Sequence, residues 1–291
     1  VFKPFLKGID ENKIRFLITQ DVEDEDEEGI KYLDELTKYA SSFKREKVPI
    51  KYLTIGFKCG GSDAFSGITA NVVCGKLNNI FINNGGSSIL TETPEMFGAE
   101  TILMSRAANK KVFNELVSLI NDYKNYFKKY GETIYENPSP GNKKGGISSL
   151  EEKSLGCVQK GGTSPIVDIL DYGEYISKIG LNILKGSGND QVSCTNLTAS
   201  GANIILFTTG RGTPFGSIVP TLKISSNSNI YKKKNNWIDF NAGRILENMP
   251  VNDMVNELFE LVINVASGKI QTKNEKNGYR EISIFRDGII L

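Results

Sequence analysis

Lys51 to Asn71 reads KYLTIGFKCGGSDAFSGITAN. Its opening, KYLTI, is a β-branched and aromatic run bounded by Lys51 and Gly56, which predicts a buried strand ending where the glycines begin. The loop that follows carries what a site at a strand's carboxyl end needs. Gly60, Gly61 and Gly67 let backbone approach a ligand, and Cys59, Ser62, Asp63, Ser66, Thr69 and Asn71 bring a thiol, hydroxyls, a carboxylate and an amide. Few of its residues are apolar, so core packing alone explains it poorly. Gly, Ser and Asp also build ordinary turns, and the composition fits a turn as well as a site.

The same pattern recurs downstream. Asn203 to Phe207 (NIILF) is apolar enough for a strand buried on both faces, and it runs into TTGRGTPFG. Arg211 suits a bidentate grip on a carboxylate, with Thr208, Thr209 and Thr213 as partners for hydroxyls. Gly210, Gly212 and Gly216 lie one residue off the dinucleotide fingerprint, and no Lys-Ser/Thr ending makes a phosphate loop. Strand, glycine-rich polar loop and helix thus repeat, which predicts a Rossmann-like α/β fold. Its layered parallel sheet would have helices on both faces and its loops gathered on one edge.

The rest of the chain fits around these loops. Ile14 to Thr19 predicts a first strand. The acidic run Asp21 to Glu28 reads as a solvated helix start rather than a cation site. Its helix, Glu28 to Lys44, would turn Ile30, Leu33, Leu36, Ala40 and Phe43 inward. Val72 to Asn83 predicts a helix, and Ser88 to Leu90 a strand that delivers Glu92, with Pro94 opening the next helix. Glu95 and Glu100 are not neighbours on one helical face. Phe113, Leu116, Val117, Ile120, Phe127 and Tyr130 form the core stripe of a helix of about twenty residues closed by Gly131.

Glu136 to Gly146, ENPSPGNKKGG, is expected to lack regular structure. Asn137, Asn142 and Lys143 on this stiffened backbone suit a polyhydroxylated acid. Glu151, Glu152, Lys153 and Lys160 sit on or after a helix begun by Ser148 and Ser149, where ordinary macrodipole chemistry also accounts for them. Ile166 to Leu170, Leu181 to Leu184 and Thr221 to Ser225 read as strands, and Gly186 to Asp190 as a loop. Asn227 and Asn241 suit either a ligand shell or turn caps. Met254, Leu258, Leu261, Val262 and Val265 mark a closing helix, and Arg280 to Leu291 either pairs as a strand or stays loose.

The 291 residues allow one large α/β domain, 1–291, or two lobes, 1–145 and 146–291. With 39% hydrophobic and 24% charged residues, the composition is that of a soluble protein. No run approaches the roughly 18 apolar residues of a membrane span, and no signal peptide is recognisable, which points to the cytoplasm and away from a membrane. A net charge of +1 gives no basic excess for nucleic acid. Four cysteines, widely spaced and without a CxxC pair, suit a reducing compartment. Histidine is absent, which removes the commonest general base and metal ligand together. Acid-base chemistry then falls to Lys, Asp, Glu, Tyr or Cys. The first residue is Val1, and VFKPFLKG reads like the middle of something, a fragment or a subunit lacking upstream sequence.

CGGSD and SGITAN, together with ETPEMFGAE (Glu92 to Glu100), ENPSPGNKKGG, EEKSLGCVQKGG (Glu151 to Gly162), FTTGRGTPFG (Phe207 to Gly216) and WIDFNAG (Trp237 to Gly243), resemble the altronate and galactarate dehydratase family of sugar-acid lyases. The resemblance runs from about Pro49 to the end. It implies a hydro-lyase that removes water from a sugar acid, altronate first and galactarate next, to leave a 2-keto-3-deoxy acid. Taking the proton beside a carboxylate puts a second negative charge on that group, which a divalent metal stabilises best. Without histidine, oxygen ligands favour Mg2+, Mn2+ or Fe2+, and Cys59 tilts the choice towards iron.

The roles implied are Asp63, Glu92 and Cys59 as metal ligands, Lys143 or Lys153 as base, Glu152 as acid, and Arg211 as clamp on the substrate carboxylate. Ser62, Asn71, Asn137, Asn142, Thr209 and Thr213 would bind the remaining hydroxyls. Family members carry histidine after GAE and proline after ITAN, where this chain has Thr101 and Val72. The implied partners are a small sugar acid and either an upstream domain or a second subunit, as in the split sulfolactate sulfo-lyases; a homo-oligomer also fits. Two other readings stand beside the first. One is the large subunit of a sulfolactate sulfo-lyase-like enzyme, and the other a non-catalytic binder of sugar acids.

Overall fold

The computed structural model describes Leu6 and residues 8–288. The chain forms two compact units, Val1–Val48 and Pro49–Leu291.

In the first unit the acidic run does start a helix. Asp24 accepts from the backbone N–H groups of Asp26 and Glu27 at the head of α1 (Glu25–Ser41), and Glu25 to Glu28 fill its first turn. Carboxylates there meet unpaired N–H groups and the positive end of the macrodipole. The strand expected at Ile14 to Thr19 does not form; residues 14–18 lack regular structure and Thr19–Asp21 is a 3-10 turn. The inward face of α1 also differs from expectation, with Ile30, Leu33 and Phe43 each at least 59% exposed. Ala40 is exposed as well; Leu36 is half-buried as expected, and Tyr32 and Tyr39 share its face. Polar anchors set this rotation, because Tyr39 donates to Asp10 and Arg15 Nε bonds Glu35 at 2.7 Å.

The second unit is built on seven parallel strands, β1 (Thr54–Cys59), β2 (Ser87–Leu90), β3 (Ile166–Leu170), β4 (Leu181–Leu184), β5 (Ile204–Thr209), β6 (Thr221–Ser225) and β7 (Phe240–Asn241), in the order β3-β4-β2-β1-β5-β6-β7. Strands from before and after residue 145 share this sheet. Around it run α2 (Ala70–Asn83), α3 (Glu100–Met104), α4 (Lys110–Lys129), α5 (Pro140–Lys144), α6 (Leu150–Val158), α7 (Asp190–Ala199), α8 (Ser228–Lys233), α9 (Val251–Ala266) and α10 (Lys273–Asn277). This is the layered α/β fold expected.

Alternation along the strands feeds two cores. Ile55, Phe57, Ile204 and Leu206 join Val73 and Leu77 of α2, Leu116 of α4, and Leu258 and Val262 of α9. Ile89, Ile205 and Phe207 face the other way, onto Cys194 and Leu197 of α7. A period of two sends neighbours to opposite faces, and each such Ile, Leu or Phe contributes roughly 1.5–3 kcal/mol when fully buried.

Several local expectations change. β1 does not stop at Gly56 but continues to Cys59; a Cβ at Gly56 would sit 3.2 Å from Leu197 and Ala202, so the glycine serves helix packing inside the strand. Phe113 is 41% exposed, and the buried face of α4 is Val112, Leu116, Leu119, Ile120, Tyr123 and Phe127. ENPSPGNKKGG contains α5, begun by Pro140 behind a Ser139 and Asn142 capping box, because proline at a first helical position loses no needed bond. Residues 280–288 form no strand, and 289–291 lie outside the described residues.

The order of the strands places the ligand edge. From β1 the chain moves to β2, out to the edge strand β3, back to β4, and then across to β5 on the other side of β1. The direction of travel reverses at β1, and in open α/β sheets ligands enter the crevice outside the carboxyl ends at such a point.

Candidate active site

Phe57 pairs with Leu90 across β1 and β2, so two residues on, Cys59 and Glu92 emerge side by side. Glu92 takes a left-handed conformation, φ 73° and ψ 63°, at a cost of order 1–3 kcal/mol for a residue other than glycine. The bend turns its carboxylate back under Cys59. Oε2 accepts from Cys59 N at 3.0 Å and Lys160 Nζ at 2.8 Å, while Oε1 meets Lys58 Nζ at 2.6 Å and Cys59 Sγ at 3.4 Å. Lys58 also reaches Gly188 O and Asp190 Oδ1, each at 3.0 Å. The side chains of Lys58, Glu92 and Lys160 are each 1% exposed.

Two glycine contacts bring in the remaining groups. A Cβ at Gly67 would lie 3.1 Å from Gly156 Cα, so the loop after β1 and α6 meet backbone to backbone, and Asn71 Nδ2 ties the crossing by bonding Gly156 O at 2.9 Å. One turn earlier on α6, Lys153 Nζ is thereby seated 3.0 Å from Cys157 Sγ, 3.5 Å from Cys59 Sγ and 3.4 Å from Ser62 Oγ. On α2, Gly75 faces Gln159 O so closely that a Cβ would overlap it. That approach sets the turn carrying Lys160.

Two buried ammonium groups, on Lys58 and Lys160, hold the buried Glu92 carboxylate, and a third, on Lys153, stands against the sulfurs of Cys59 and Cys157. Burial and the neighbouring Cys59 sulfur push the Glu92 carboxyl up to about 7, against the pull of Lys160 and Lys58. The hydrogen bond from Cys157 holds the Cys59 thiol well below its usual range and raises that of Cys157. Burial works against charge on Lys153, but the flanking sulfurs more than offset it, and its ammonium is retained.

The groups open onto a cleft of about 360 Å³ whose wall includes Cys59, Glu95, Lys153, Asp190 and Arg211. Arg211 lies over Gly141, where a Cβ would overlap Nη1. Among the described residues it makes no ion pair. Glu95 Oε2 is buried, with no hydrogen-bond partner among the described residues. A second hollow of about 200 Å³ shares Lys153 and is lined also by Asp63, Asn71, Glu152 and Cys157.

Of the residues singled out in the sequence, Cys59, Asn137, Asn142, Lys153 and Arg211 line the cleft, with Glu92 directly beneath and Ser62 against Lys153. Others hold structure. Asn142 spends its amide on Ser139 and on Ser62 O at 2.9 Å, and Asn71 lies in the second hollow. Thr209 Oγ1 accepts from Gly212 N at 2.9 Å and Thr213 Oγ1 from Phe215 N at 3.2 Å, which shapes the loop carrying Arg211. Lys143 is exposed on α5 and lines neither hollow. Glu152 caps the start of α6, accepting from Ser148 N and Oγ at 2.7 Å. Those bonds hold its carboxyl below the usual range and tie it to the helix start, away from the wall of the cleft.

The expected metal ligands do not make a cage. Both Glu92 oxygens are held by ammonium groups, and Asp63 accepts from Ser66 Oγ at 2.9 Å, Ser226 Oγ at 2.7 Å and Asn227 Nδ2 at 2.9 Å. Among the described residues no group of three or more Cys, Asp or Glu is arranged to hold a metal ion. As arranged, Asp63, Glu92 and Cys59 do not fit a divalent cation.

Sequence reasoning passed over Lys58, Glu95, Cys157 and Asp190 and left Lys160 as a helix-end cation. The signal for Lys58 was present, since a lysine inside a buried strand demands an anionic partner. The partners of Asp63 came from a distant strand end and left no local mark. Asn227, open as ligand or cap, does both structural jobs, capping α8 through Ile230 N at 2.8 Å and bracing Asp63.

The profile of the family described as D-galactarate/altronate dehydratase, C-terminal, matches residues 50–290. Altronate dehydratase of Bacillus subtilis is 51% identical over 290 residues, covering 99% of this chain and 58% of the relative. Altronate dehydratase of Escherichia coli is 46% identical, covering 100% of this chain and 58% of its own length. Galactarate dehydratase (L-threo-forming) of Escherichia coli is 36% identical over 245 residues, covering 83% and 47%. The chain thus spans about half the length of these relatives. With a family profile matched across all seven strands and the loops at their carboxyl ends, the chain belongs to the D-galactarate/altronate dehydratase family.

Proposed function

We propose that this chain carries the centre of a sugar-acid dehydratase, with altronate as the first substrate and galactarate as the second. The observation that carries the reading is the cleft at the reversal of strand order. It presents an unpaired guanidinium on Arg211, a buried ammonium on Lys153 and an unpartnered carboxylate oxygen on Glu95. The relatives' names support the substrate class.

In this reading Arg211 grips the substrate carboxylate in bidentate fashion and stabilises the charge that develops there. Glu95 takes the proton from the carbon beside that carboxylate. Lys153 gives a proton to the departing β-hydroxyl, which leaves as water, and the resulting enol becomes the 2-keto-3-deoxy acid. The protonated state of Lys153 favours this donor role over the base considered from sequence. The Lys58, Glu92 and Lys160 cluster fixes Cys59 and the cleft floor. A cytoplasmic setting accords with the four buried, free cysteines, and among the described residues no helix is long and apolar enough to cross a membrane.

The test is keto-acid release from a panel of aldonates and aldarates, with ferrous iron, manganese or magnesium supplied. Altronate is expected to be turned over, Lys153→Gln to lose roughly 100-fold or more in kcat, and Arg211→Ala to lose both kcat and affinity. No keto acid from any member of the panel, or an unchanged rate in Lys153→Gln, overturns the reading.

A further inference from the structure

The four cysteines divide into two kinds. Cys74 and Cys194 are fully buried in the two apolar cores. Cys59 and Cys157 instead stand in the walls of the cleft and the second hollow, with Sγ atoms 3.5 Å apart. A disulfide needs about 2.05 Å, so an approach of about 1.5 Å closes the bond. The two residues are 98 positions apart in sequence. Their meeting is fixed by backbone, because α6 crosses the loop after β1 at the Gly67 and Gly156 contact. Lys153 Nζ touches both sulfurs, at 3.0 and 3.5 Å. An adjacent ammonium favours the sulfur anion that attacks an oxidant.

We propose that Cys59 and Cys157 are a reversible oxidation site, converted by a peroxide into a disulfide within the wall of the cleft. The Cys59 sulfur attacks one peroxide oxygen and the O–O bond breaks, leaving Cys59 as a sulfenic acid and releasing the other oxygen as water. The Cys157 sulfur then attacks the Cys59 sulfur, the S–O bond breaks and a second water departs. The two thiol protons end in the two waters, and the two electrons lost by the sulfurs reduce the peroxide. A small thiol reductant reverses the change by exchange. Oxidation takes both sulfur neighbours from Lys153 and the thiol from Glu92 Oε1, so the state of the pair is felt in the cleft. The site does not depend on which anion the cleft takes.

The experiment treats the full chain with hydrogen peroxide, blocks free thiols by alkylation, and maps the unreduced peptides by mass spectrometry. A cross-linked pair of peptides holding Cys59 and Cys157 is expected, with an intact mass lower by two hydrogens, both restored by dithiothreitol. Cys74 and Cys194 resist alkylation in the native protein and become alkylatable once the chain is unfolded. In Cys157→Ala, checked for folding by its thermal transition, Cys59 has no partner and proceeds to sulfinic acid. Absence of the cross-link in the parent chain overturns the proposal, as does a Cys59 that resists peroxide equally with and without Cys157. These readouts are chemical, so a failure of the dehydratase reading leaves them unaffected.

Discussion

Lys160 Nζ lies 2.8 Å from Glu92 Oε2, and both side chains are 1% exposed. Glu92 also holds Lys58 at 2.6 Å, so the carboxylate serves two cations while each cation has a different set of other partners. Removing the shared anion takes the Glu92 contact from both buried ammonium groups and leaves Lys58 with Asp190; removing Lys160 leaves Glu92 still paired with Lys58. Breaking a buried pair costs about 3–5 kcal/mol. Glu92→Gln is therefore expected to lower stability by at least that amount and Lys160→Met by less, read from urea unfolding midpoints. The opposite ranking would place the weight of the cluster elsewhere.

Asp63 is predicted to act as a brace. Two of its hydrogen bonds, from Ser226 and Asn227, join the loop after β1 to the end of β6, a third from Ser66 closes the loop itself, and a Cβ at Gly210 would overlap its carboxylate. Asp63→Ala should cost about 1–3 kcal/mol for the partners left unsatisfied. Its apparent affinity for any divalent cation, measured by calorimetry, should match that of the parent chain. A stable variant that had lost cation binding would restore Asp63 as a ligand.

Two glycines on helices are expected to respond to alanine with opposite sign. Gly29 on α1 has its nearest neighbour, Leu17 Cδ2, at 3.9 Å, so Gly29→Ala gains helix propensity of about 0.5–1 kcal/mol. Gly75 on α2 faces the backbone oxygen of Gln159, and backbone cannot rotate aside as a side chain can. Gly75→Ala should lose about 1–3 kcal/mol despite the same propensity gain. Thermal transitions of the two variants check both signs.

Asp239 gives a pH dependence. It accepts from Lys223 N at 2.8 Å and Lys273 N at 2.7 Å, and burial pushes its carboxyl up from 3.8 to about 6. A raised value in the folded state means that the folded chain holds the proton more tightly. The stability this group contributes is complete below 3.8 and is lost as pH rises through about 6. The parent chain should therefore lose up to about 3 kcal/mol relative to Asp239→Asn across that window, measured by urea unfolding near pH 4 and pH 7.

Periodicity made the sheet legible. Strands such as IILF and TLKI need no distant information, because their apolar character and flanking glycines are local. The carboxyl-end loops were legible for the same reason, and they led to Cys59, Lys153 and Arg211. The fine structure of the centre was not. Glu92 meets Lys160 across 68 positions, and nothing near Lys160 distinguishes it from an ordinary helix-end cation. Asp63 looked like a ligand because its partners, Ser226 and Asn227, come from 163 and 164 positions away. ENPSPGNKKGG failed as a loop because its first proline-stiffened turn was read as a breaker, whereas Pro140 stands where a helix can begin.

Lys153 forms part of the wall of both hollows, so it acts as a partition with a wet side at the front and another at the rear. A residue that replaces it therefore reshapes two chambers at once.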